Sequence, residues 1–176
     1  MNEALMYAKY NQAGNRAIYA ILNGMSNDER EKDRGSYYGS LSSLVSHLFG
    51  GTYFFMDMFK TALAGNAAAV QAIDSRPHMP DSPPEGPLNE AQWQKLGEML
   101  EAADAAYVAM AGALGETDLR QPVKIDWYGG NPGEVPLSFL LSQLVVHNTH
   151  HRGQISQILD SLKIDNDYSG IDLAFM

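Results

Sequence analysis

Two histidines four residues apart, His147 and His151, are the residues whose types and spacing most plainly point to chemistry in this sequence. On an α-helix that spacing puts both rings on one face, one turn apart. The chain contains no cysteine, so any metal it holds must use nitrogen and oxygen donors. A third histidine, His47, lies far away in sequence and falls in a helical pattern where Leu and Phe otherwise stand. Three buried imidazoles need partners for their nitrogens, at about 1–3 kcal/mol for each group left unsatisfied. One divalent cation would satisfy them jointly. Three protein ligands also leave that cation an open position for water or substrate, as catalytic sites require. The blander readings are a surface pair for His147 and His151 and a satisfied core residue for His47.

The segment HNTHHRGQISQIL supplies further polar groups around this trio. His150 is a quarter-turn from His151 and reads as a rim or solvent-facing group. Gln154 shares the seam with the histidines and could bond a metal-bound water or act as a buried structural amide. Arg152 reads as the cap of a polar network rather than a substrate contact. His78 falls in a proline-rich stretch and reads as exposed. Asn148 follows the first His where the zincin protease motif carries its general-base Glu, so that chemistry is excluded. No residue is identified as a catalytic acid or base.

These residues must be placed by helices. The first is expected from about Glu3 to Asn23, with Met6, Tyr10, Ala13, Ala17 and Ile21 as its inward stripe. Ser26 and Glu29 mark a short helix or turn after it. A second helix is expected from about Tyr37 to Ala64, with Tyr37, Leu44, His47, Gly51 and Phe54 along one face. A third starts after Asn89 and ends near Gly115, on the seam Trp93, Leu96, Leu100, Ala103, Tyr107, Met110 and Leu114. A fourth runs from Pro136 to about Lys163, through Leu140, Leu144, His147, His151, Gln154 and Ile158.

Between helices, five of the eight prolines crowd into residues 77–87, a long connection. VKIDWY and EVPL flank GGNPG and could pair as a short hairpin between helices three and four. The expected architecture is all-α: an up-down four-helix bundle, one domain over residues 1–176.

The bulk composition narrows the partners. The 176 residues are 45% hydrophobic and carry a net charge of −9, without a Lys/Arg run. A surface of that sign repels nucleic-acid backbones and anionic headgroups. No apolar run suits a signal peptide or a bilayer span, so a soluble, cytoplasmic protein acting on a small molecule is expected.

HNTHHRGQISQIL resembles the signature of the DinB family, the DinB/YfiT-like metalloenzymes. YNQAGNRAIYAILNGMSNDERE, DRGSYYGSLSSLVSHLFGGTYFF and the terminal DLAFM resemble that family's first helix, second helix and ending. The likeness is weaker from about Lys60 to Gly115. It implies a four-helix bundle holding one divalent metal on His47, His147 and His151, and a homodimer. Thr52 departs from the pattern, since members often carry an acidic residue five positions after the first His. Similar proteins include transferases and isomerases that use low-molecular-weight thiols such as bacillithiol or mycothiol. A thiol-dependent S-transferase or isomerase is therefore expected. A hydrolase using metal-bound water, or a non-enzymatic metal- or ligand-binding stress protein, are the alternatives. Ligand type favours zinc or nickel, with iron or manganese also compatible.

Overall fold

The computed structural model describes residues 2–79, 86–126, 132–168 and 170–171. Their helices are α1 (Glu3–Asn23), α2 (Asn27–Glu31), α3 (Leu41–Ala62), α4 (Ala67–Asp74), α5 (Glu90–Gly112), α6 (Glu116–Leu119) and α7 (Leu137–Ser161). Strands β1 (Pro122–Ile125) and β2 (Gly133–Pro136) lie between α6 and α7. The fold is an all-α helical bundle. Helix α1 packs on α5 and α7, and α3 packs on α7 and α5. No helix among the described residues is long and apolar enough to cross a membrane.

Side-chain caps set several helix starts. Asn2 Oδ1 accepts from Leu5 N at 2.7 Å, and Ser26 Oγ accepts from Glu29 N at 3.3 Å. Asn89 and Gln92 form a reciprocal capping box at the start of α5. The hairpin forms as expected, antiparallel, with Val123 opposite Val135. Residues 127–131, which include most of its expected turn, lie outside the described residues.

Two apolar clusters fill the interior. Phe55, Phe59, Tyr107, Leu140 and Leu144 belong to one, and Ile18, Leu22, Leu44, Trp93 and Leu159 to the other. Each such side chain contributes about 1.5–3 kcal/mol by leaving water. The expected α5 seam is buried from Trp93 to Leu114, with Leu96 partly covered.

Three expectations need correction. The inward face of α1 carries Ala8, Asn11, Gly14, Asn15, Ile18 and Leu22, while Met6 and Tyr10 are exposed. Buried amides conceal that face from an apolar-stripe reading. Helix α3 starts at Leu41, not Tyr37, because Ser40 caps it through Ser43 N at 3.1 Å. Gly39, at φ +75°, closes a turn with Ser36 just before that cap and leaves Tyr37 exposed. Helices α4 and α6 were not expected. Asn66 caps α4, and its Ala69 and Ile73 are buried in the bundle.

Candidate metal centre

Helix α3 presents His47, and α7 presents His147 and His151. One ring nitrogen from each lies within 4.8 Å of the other two. His47 Nε2 and His147 Nε2 are 3.2 Å apart. Among the described residues no carboxylate joins this group. The three sequence-expected ligands are therefore brought together, from two helices and across 100 residues of chain.

Neighbouring groups decide which nitrogen faces inward for two of the rings. His147 Nδ1 donates to Asn148 Oδ1 at 3.0 Å, so Nε2 keeps its lone pair. Asn148 Nδ2 in turn donates to Thr52 Oγ1 at 3.3 Å, and that hydroxyl donates to Leu48 O at 3.1 Å. Thr52 thus serves as a neutral anchor beneath the ligand. His151 Nδ1 donates to Gln154 Oε1 at 2.8 Å, which leaves Nε2 as its lone-pair nitrogen. Burial pushes the His151 pKa down to about 4, with His147 and His47 adding to the effect. Burial, then His147, lowers His47 as well. His47 and His151 are thus neutral at physiological pH, the form that ligates metals. His47 Nε2 is within hydrogen-bond distance of His147 Nε2 and of the Tyr38 hydroxyl, contacts that a cation held by the three rings would replace. The donor set fits a divalent ion.

Space around the cluster is also prepared. A methyl group at position 51 would stand 2.4 Å from Cε1 of His147, so only glycine leaves room for that ring. Tyr38 stacks on His47 with ring centroids 4.3 Å apart, and its hydroxyl lies 2.9 Å from His47 Nε2. The sequence reading missed Tyr38, Asn148 as a support, and the role of Gly51. The turn glycine and Ser40 cap of GSYYGS were the available signals for Tyr38.

The other expected site residues separate. Gln154 touches a ligand directly. His150 is exposed, its ring 5.0 Å from that of His151 at a steep angle. His78 is exposed, as expected. Arg152 is buried and turns away toward α1, donating to Asn11 Oδ1 at 2.9 Å and Asn15 Oδ1 at 2.7 Å. Asn15 Nδ2 donates to both oxygens of Asp104, at 3.1 and 3.0 Å. Arg152 therefore caps a closed polar network.

A family model for the DinB family matches residues 1–162 of the 176. The chain belongs to the DinB family. The match includes the stretch from Lys60 to Gly115, where the motif resemblance is weaker. It stops short of DLAFM, which also lies outside the described residues. A search of curated proteins gives no match. The matched residues include His47, His147 and His151, the three-histidine group able to hold a metal ion.

Proposed function

We propose that this DinB-family chain is a metal-dependent enzyme that activates a thiol and transfers it to an electrophile, as an S-transferase or isomerase. The observation that supports this most is the composition of the centre: three imidazole nitrogens within 4.8 Å and no carboxylate in the group. Neutral donors leave the charge of a dication undiminished, which suits an anionic sulfur as the further ligand. A hydroxide mechanism would want a nearby carboxylate base, and this group has none among the described residues.

His47, His147 and His151 would hold the ion, zinc or nickel by ligand type, with iron or manganese also compatible. The ion supplies one thing, a preference for the deprotonated form of a bound thiol. The chain's own groups do the rest. Asn148 and Gln154 fix two rings in the ligating tautomer. Tyr38 stacks on His47 and also lines the neighbouring cleft. In the transfer, sulfur forms its bond to carbon, the leaving group departs with its electron pair, and the thiol proton goes to solvent. The reading extends to a homodimer, supported by the family resemblance and tested by sedimentation, working in the cytoplasm.

The test is consumption of a panel of low-molecular-weight thiols with 1-chloro-2,4-dinitrobenzene by zinc- or nickel-loaded protein. Metal-dependent loss of thiol is expected. No turnover with any thiol would overturn the transferase reading. Ester cleavage without added thiol would replace it with a hydrolase, and inactivity in both assays with a metal-holding protein.

A further inference from the structure

Beside the imidazole cluster, the Ser36–Gly39 turn and the outer face of α7 enclose a cleft of about 760 Å³. That is the size of a small-molecule site. Tyr37 and Val146 stand at it 93% and 62% exposed, two large apolar side chains on facing sides of the cleft lining. The cleft adjoins the centre through shared residues. Tyr38 lines it and touches His47, and Gln154 lines it and bonds His151.

Its charge is the telling feature. The chain carries −9, yet none of the described residues lining this cleft is Asp, Glu, Lys or Arg. Within the cleft itself an anion would stand against no Lys or Arg side chain and a cation against no carboxylate, and the exposed His150 is the one imidazole among its described lining residues. An uncharged molecule needs neither partner. Gln157 offers its amide, Gln154 its Nε2 amide hydrogens beyond the bond to His151, and Thr149, whose Oγ1 accepts from Arg152 Nη2 at 3.0 Å, keeps its hydroxyl proton to donate.

We propose that this cleft binds an uncharged, flat, largely apolar substrate, whose reacting end meets the histidine centre between Tyr38 and Gln154. The inference relies on the metal-enzyme reading only for that last clause. A thiol bearing carboxylates is not the cleft's occupant, and the neutral partner in the reaction is.

The test uses binding rather than turnover, so its outcome is separate from that of the enzymatic reading. Metal-free protein is titrated with 2-naphthol, 2-naphthoate and 2-naphthylmethylammonium by calorimetry at neutral pH. The neutral probe should bind about tenfold or more tightly than either charged one, a difference of about 1.4 kcal/mol. Position 153 gives a blocking variant, because a Cβ built on Gly153 meets nothing within 4 Å and a side chain there projects into open space. Gly153→Leu should weaken 2-naphthol at least about tenfold while zinc stoichiometry stays unchanged. Leu also favours helix over Gly, so folding is retained. Gln157→Lys should tighten 2-naphthoate severalfold and leave 2-naphthol alone. Equal affinities for the three probes, or an unaltered Gly153→Leu, would overturn the proposal. So would a dimer that Gly153→Leu dissociates, which would make the cleft a contact between two copies of the chain.

Discussion

Two polar clusters hang from adjacent residues of α7 and end differently. Arg152 leads into a network that closes on itself: guanidinium to Asn11 and Asn15, amide to Asp104. His151 leads into a cluster of three rings whose nitrogens lie within 4.8 Å of one another, with no counter-charge among the described residues of the group. The first has spent its hydrogen-bonding capacity within the protein and ties α1, α5 and α7 together. The second holds capacity in reserve for something the chain does not itself supply. Burial alone does not distinguish a structural polar group from a functional one; whether its partners complete it does.

The contrast can be broken from either side. His151→Ala should abolish stoichiometric metal, a larger effect than the roughly 10–100-fold loss typical of a supporting residue. Metal analysis of tag-free protein after dialysis checks this, and unchanged content would end the ligand assignment. Arg152→Met should do the reverse. It leaves the buried amide oxygens of Asn11 and Asn15 without their donor, at about 1–3 kcal/mol for each by urea denaturation, while metal content holds at the wild-type level. Gly51→Ala would drive a methyl group into the His147 ring and should weaken metal binding by about 10–100-fold without lowering the urea midpoint comparably.

A pH series sharpens the same comparison. In the folded, metal-free chain His151 has its pKa lowered to about 4 from 6.5. The unfolded chain takes that proton first, so stability falls as pH drops through this interval. Asp104, nearly fully buried, is raised from 3.8 to about 7. Its contribution is complete below 3.8 and is lost as pH rises through about 7. The two slopes oppose each other over nearly one window. Asp104→Asn should leave stability climbing more steeply with pH, and His151→Gln should leave it declining. Urea midpoints of metal-free proteins between pH 4 and 7 read both, and parallel curves for the two variants would refute the pairing.

The open cluster was legible in the sequence and the closed one was not. His147 and His151 declare themselves by spacing on a single helix, and His47 by falling where Leu and Phe prevail. The closed network draws one or two residues from each of three helices, and no local pattern marks Asn11, Asn15 or Asp104 as buried. Their burial also disguised the inward face of α1, since amides stood where an apolar stripe was sought. Helix α5 read correctly because its seam is apolar almost throughout. Helix α4 escaped because eight residues give too little periodicity, and a helix that short, even one rich in alanine, depends on its packing against α5. Tyr38 escaped because a turn, not a helix, delivers it.

The separation of His47 and His147 along the chain has a mechanical side. With no cysteine, the protein has no covalent tie between distant segments. An ion gripped by both residues would close a loop of 100 residues. A disulfide spanning such a loop is worth about 4.7 kcal/mol in chain entropy. The centre would then be a removable rivet as well as a reactive spot, and its chelation would slacken the whole molecule, not merely silence it.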